Sequence, residues 1–109
     1  MPDGTQAKRG NKFGAKRTEY RGKVYDSQKE ANRAAELRLL EQAGEIAGYA
    51  EQVPFLLAGG IVYKADFVVL GLDGTYRIED TKGGEATKTP GYRMKKKLMA
   101  DKGLKIVEV

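Results

Sequence analysis

The spacing of apolar and polar positions changes several times along the chain, and each change marks an expected element. Up to about Gly14 there is no period at all, only Gly, Lys, Arg and Asn around one aromatic residue, Phe13. Residues 1–14 therefore read as a flexible basic arm and residues 15–109 as one folded domain. Tyr20, Val24 and Tyr25 around Arg21-Gly22 suggest a short hairpin or strand leading into a helix. Ser27-Gln28-Lys29-Glu30 fits a capping box, in which Ser27 bonds the amide three residues on and Glu30 reaches back. A helix follows with Ala31, Ala34, Ala35, Leu37, Leu39 and Leu40 as its apolar stripe, ending near Ala43 before Gly44.

The period then shortens. Ile46 to Val53 reads as a strand limited by Pro54, with Phe55-Leu56-Leu57 extending the apolar segment to Gly59-Gly60. Ile61 to Leu70 is nearly continuous in β-favouring residues, the pattern of a central strand buried on both faces. Gly71 to Gly74 turns the chain into a partner strand, Thr75 to Lys82. Thr89-Pro90 reads as the cap and first position of a basic amphipathic helix carrying Tyr92, Met94, Leu98 and Met99, closed by Gly103. Leu104 to Val109 alternates as a last strand. The expected class is α/β, in the order αβββαβ, with helices packed on a mixed sheet.

Composition narrows the chemistry. The chain has 109 residues, room for one domain, with no cysteine and no histidine. Disulfides, thiolate sites, Ser-His-Asp triads and imidazole acid-base catalysis are all excluded. Any metal would be held by oxygen. No apolar run reaches the roughly 18 residues of a membrane span, and the first residues lack the apolar stretch of a signal peptide, so a cytoplasmic setting is expected.

The net charge of +5 is unevenly spread. Residues 1–24 carry seven basic and two acidic side chains, residues 25–81 five and ten, and residues 82–109 eight and three. A basic nucleic-acid binder has no need of an acidic centre, whereas an enzyme that holds a divalent cation beside a phosphodiester needs both signs of charge.

Two charged positions interrupt apolar strands, where ionised groups are costly unless paired or metal-bound. Asp66 lies within Ile61 to Leu70, and in the next strand Tyr76, Ile78, Asp80 and Lys82 share a face, with Glu79 on the other. Each aspartate is about six residues from the turn, so strands about 4.8 Å apart bring Asp66 near Asp80. Two carboxylates and an ammonium suit Mg²⁺-assisted phosphodiester hydrolysis, with Mn²⁺ as a substitute: Asp66 and Asp80 as ligands, Lys82 placing the water or meeting charge on phosphate. A buried salt bridge in a binding module is the competing reading.

Asp66 followed by Asp80-Thr81-Lys82, in this order of elements, resembles the PD-(D/E)XK nuclease superfamily with its restriction-endonuclease-like fold. More closely, Lys12-Phe13-Gly14-Ala15-Lys16, Asp26-Ser27-Gln28-Lys29-Glu30-Ala31 and Glu79-Asp80-Thr81-Lys82-Gly83 are similar to a small phage and prophage family of unknown function assigned to that superfamily. The likeness runs from about Asn11 to Val109 and departs at Lys64-Ala65, where the superfamily name has proline. It implies a catalytic core of Asp66, Asp80 and Lys82, with Glu30 as an additional acidic residue and metal ligand. Glu30 also has a purely structural use as a helix cap. Glu79 reads as a solvated or structural charge, and Gln52 as an ordinary strand-end amide in preference to one that approaches the site.

For nucleic-acid contact the sequence offers Lys8, Arg9, Lys12, Lys16 and Arg17 of the arm, and Arg93 with Lys95, Lys96 and Lys97 of the last helix. At helical spacing with Met99, Tyr92 belongs to the core. The resulting expectation is a metal-dependent DNA endonuclease, acting on branched or replicating phage DNA as a homodimer, since one small domain gives a short footprint. The alternatives are a non-catalytic nucleic-acid-binding module and a structural protein whose acidic middle meets a basic partner.

Overall fold

The computed structural model describes residues 17–109, so the basic arm, with Lys12 and Lys16, lies outside the described residues. The domain opens with a hairpin of β1 (Thr18–Tyr20) and β2 (Lys23–Tyr25). Its two-residue turn places both Arg21 and Gly22 at positive φ, the twist that matches two antiparallel strands. Helix α1 (Gln28–Gln42) starts where the Ser27 Oγ accepts from the Glu30 amide at 3.0 Å and ends at Ala43. Strands β3 (Gly48–Leu56), β4 (Val62–Leu70) and β5 (Tyr76–Asp80), helix α2 (Pro90–Asp101) and strand β6 (Ile106–Glu108) complete the order read from the sequence. Thr89 caps α2 through the Tyr92 amide, with Pro90 in its first turn.

Among the described residues the fold is α/β, with two α-helices and a mixed four-stranded sheet in the order β3-β4-β5-β6. The first three strands are antiparallel and β6 runs parallel to β5. Beyond its paired residues β6 still grips the chain after β5, for the Lys82 amide donates to the Val109 carbonyl and the Val109 amide to the Asp80 carbonyl.

Two cores result. Leu57, Tyr63, Ala65 and Ile78 pack with Tyr92 and Met99 of α2 and with Ile106. Tyr25, Phe67 and Val69 pack with Ala31, Ala34 and Leu37 of α1. Burying a side chain such as Phe67 or Leu37 contributes about 2 kcal/mol. Along β4 the buried residues Tyr63 and Ala65 join the α2 core while Phe67 and Val69 join the α1 core, so the strand changes allegiance across Asp66.

Four expectations are corrected. Strand β4 is not buried on both faces: Val62, Lys64 and Leu70 are exposed, because two helices cannot cover both sides of a sheet this wide. Strand β3 runs through Pro54, which an edge strand tolerates. Leu39 of α1 and Met94 of α2 face solvent, off the stripes that pack. Thr75 is not part of β5; its amide and hydroxyl are tied to Asp73 in the turn.

Candidate active site

Four elements deliver side chains to one cavity of about 1130 Å³, lined by the first turns of both helices, the start of β4 and the segment Asp80 to Gly83. Register brings the aspartates together as expected. Phe67 faces Glu79 across β4 and β5, so the next pair outward is Asp66 with Asp80. Asp80 is buried: Tyr63 Oη donates to its Oδ2 at 2.6 Å and Lys82 Nζ sits 2.8 Å from its Oδ1. The Lys82 ammonium also lies 3.9 Å from the centre of the Tyr92 ring, which holds it by cation–π attraction. Lys29 Nζ donates to the Lys82 carbonyl at 2.6 Å, tying this segment to the first turn of α1.

Asp66 accepts at Oδ2 from both the amide and the hydroxyl of Thr81, at 2.9 and 2.8 Å. Its Oδ1 has a longer contact, 3.4 Å from Gln52 Nε2, which also donates to Glu30 Oε2 at 3.0 Å. Gln52 thus links the two carboxylates. It reaches them from a strained backbone at φ +53°, at the one position where the β3–β4 ladder skips a pair, between Glu51–Phe67 and Val53–Ala65. A non-glycine residue in this region costs about 1–3 kcal/mol, and such positions cluster where a site demands them.

The electrostatics are unbalanced. Burial, then the charges of Asp66 and Asp26, push the Glu30 carboxyl up to about 7, although the Asp26 amide donates to it. Burial, then the neighbouring Asp80, push Asp66 up to about 6 against the hydrogen bonds from Thr81. At the helix start the Glu30 amide donates to Ser27 while its carboxylate, which accepts from the Asp26 amide and from Gln52, lies in the cavity beside Asp66. Tyr63 and Tyr92 are raised as well, chiefly by burial and then by their bonds to Asp80 and Glu108.

These groups fit a hard divalent cation. All are oxygen donors, they repel one another, and Asp66 Oδ1 is only loosely engaged. Among the described residues no three carboxylates are gathered closely enough to enclose an ion alone. Mg²⁺ does not need that, since it keeps several waters and one or two carboxylates suffice.

Other candidates fall elsewhere. Glu79 is wholly buried on the opposite side, where Arg33 binds both its oxygens at 2.8 and 2.6 Å and Arg77 adds a third bond at 2.7 Å. It is a structural charge, and not a solvated one. Arg93 pairs with Glu85, and Lys96 with Glu108, away from the cavity that holds Asp66 and Asp80. Arg17 is exposed before β1. Sequence reasoning missed Tyr63, Thr81, Lys29 and Lys64 as lining residues. Only Thr81, inside Asp80-Thr81-Lys82, carried a local signal.

The fold and cavity define an α/β domain with a carboxylate–lysine cluster at one end of a mixed sheet. The chain belongs to the family described as a protein of unknown function (DUF1064), whose model matches residues 10–108. No curated protein and no solved structure matches it. No helix among the described residues is long and apolar enough to cross a membrane.

Proposed function

We propose that this protein is a metal-dependent DNA endonuclease with a restriction-endonuclease-like core, of the PD-(D/E)XK kind that its sequence resembles. The observation that carries this reading is Asp66 set opposite Asp80, with Lys82 on Asp80, in a cavity that also takes Glu30. Asp66 and Asp80 would hold Mg²⁺ or Mn²⁺, with Glu30 close enough in charge to feel Asp66. Such an ion, when bound, lowers the pKa of a water and offsets charge on the phosphate. The chain's own residues supply the rest. Lys82, fixed between Asp80 and the Tyr92 ring, meets negative charge developing on the phosphate. Glu30, with its carboxyl near neutrality, is suited to accept a proton from the attacking water. A homodimer would provide one such site per strand.

One observation favours the second reading, a binding module without catalysis. Both Asp80 oxygens already have partners inside the protein, as a buried salt bridge requires. Nicking of supercoiled plasmid and of branched DNA in Mg²⁺ or Mn²⁺ separates the two, with wild type and Asp80→Asn purified side by side. The nuclease reading expects metal-dependent cutting that is lost in the variant. Binding without cutting by folded wild type would select the module.

A further inference from the structure

Basic residues on and near the cavity differ in what they are paired with, a difference that the sequence does not show. On α2, Arg93 and Lys96 are spent on Glu85 and Glu108, and Glu108 also takes Lys88. Lys95, beside them in sequence, lines the catalytic cavity and has no carboxylate partner among the described residues. The same is true of the exposed Lys64 on β4. Lys29, on the first turn of α1, gives one bond to the Lys82 carbonyl, leaving two ammonium protons of the three for another acceptor.

The rest of the lining is equally telling. Among the described residues it contains no arginine. Its two amides are turned inward to protein partners, Gln52 through its nitrogen to Glu30 and Asp66, and Gln28 to Asn32 at its nitrogen and Thr18 at its oxygen. Bidentate reading of a base edge in duplex DNA falls most often to arginine at guanine, with lysine as its alternative there, and to asparagine or glutamine at adenine, while a lysine ammonium on the backbone meets a phosphate as a point charge.

We infer that Lys29, Lys64 and Lys95 form the phosphate track of the site and that the domain's cavity recognises the sugar-phosphate backbone without reading base sequence. The inference rests on the nuclease reading for its substrate. The phosphates flanking the cleaved bond lie against these three ammonium groups, while the outer face of α2 stays out of contact.

The test compares two double variants that remove equal charge, Lys64→Ala with Lys95→Ala and Lys96→Ala with Lys97→Ala. Anisotropy of fluorescein-labelled duplexes of unrelated sequence is measured in EDTA between about 50 and 200 mM salt, with metal-dependent cutting assayed in parallel. The cavity pair is expected to weaken binding about tenfold or more and to lower the salt slope by about two, one per phosphate contact. The outer pair leaves both within about twofold, and wild-type affinity is the same across sequences. Equal losses in the two double variants, or a loss only in the outer pair, would overturn the track. A strong preference among duplex sequences would overturn the backbone-only recognition. Cutting without the differential loss removes this inference and keeps the nuclease. Binding that shows the loss without any cutting keeps the track and removes the nuclease. Protein that neither binds nor cuts removes both.

Discussion

Glu79 and Asp80 are neighbours on one strand, and the environments on the two sides of that strand could hardly differ more. Glu79 is sealed against α1, burial works against its charge, and Arg33 with Arg77 overcomes that penalty and holds its carboxyl below the ordinary range. On the other side, Asp66 and Glu30 are also withdrawn from water, yet a neutral amide stands between them and their carboxyls rise to about 6 and 7. A buried carboxylate matched by guanidinium is architecture. Carboxylates left facing one another store repulsion that a cation would relieve, and natural folds keep such arrangements at working sites.

The largest effect expected from this contrast is on the architectural side. Arg33→Ala leaves the wholly buried Glu79 with only the half-exposed Arg77. The loss is about 3–5 kcal/mol of stability, read by denaturant unfolding. A loss below about 1 kcal/mol would put Glu79 among the solvated charges after all.

Next is the pH dependence of the metal-free protein. Glu30 and Asp66 bind protons more tightly folded than unfolded, so their contribution to stability is fully present below the ordinary carboxylate range. It is lost as pH rises through about 6 for Asp66 and about 7 for Glu30. Glu79 and Glu108 have the opposite sign, with Glu108 held at about 2 by Lys96, Tyr92 and Lys88, and their changes are complete below about pH 5. Between about pH 5 and 8 thermal unfolding therefore reports the acidic cluster alone, and stability should fall by about 3 kcal/mol. Mg²⁺ added at pH 8 should return part of the loss through binding to the folded state. A flat profile would mean that the repulsion is absent.

Glu30→Gln follows, at about 2 kcal/mol. The amide is isosteric and its one oxygen can still accept from Gln52, so the variant sheds repulsion and gains stability at pH 8 while cutting falls. Stability and activity moving in opposite directions is the signature of a working carboxylate; moving down together would return Glu30 to a helix cap.

Much of this was legible in the sequence. Ser27 and Thr89-Pro90 announce both helices because a cap is local chemistry, and Asp66 meets Asp80 because a hairpin's register follows from its turn. What is not legible depends on contacts remote in the chain. Gln52, read as a strand-end amide, stands instead in the middle of β3 and reaches the site through a skipped ladder pair at positive φ, which no pattern of apolar residues encodes. Tyr63 serves Asp80 from across a strand pair 17 residues away. In the run Lys95-Lys96-Lys97, which lysine is spent on Glu108 depends on where β6 docks, and the run itself is silent about that.

The smallest effect is also the sharpest test of the contrast, because it converts one side of β5 into the likeness of the other. Gln52→Lys places an ammonium where the neutral amide now bridges Glu30 and Asp66, giving this cluster the cation that Arg33 gives Glu79. Both carboxyls should fall toward the ordinary range, and the decline of stability between about pH 5 and 8 should flatten. Net stability at pH 8 should rise by only about 1 kcal/mol, because withdrawing the new ammonium from water costs most of what its pairing returns, while the positive-φ backbone is the same for either side chain and cancels. Metal-dependent cutting should be lost, for the lysine occupies the place that a divalent cation would take. If Gln52→Lys flattens the pH profile and still cuts, repulsion between Glu30 and Asp66 is incidental and catalysis must rest on Asp80 and Lys82 without them.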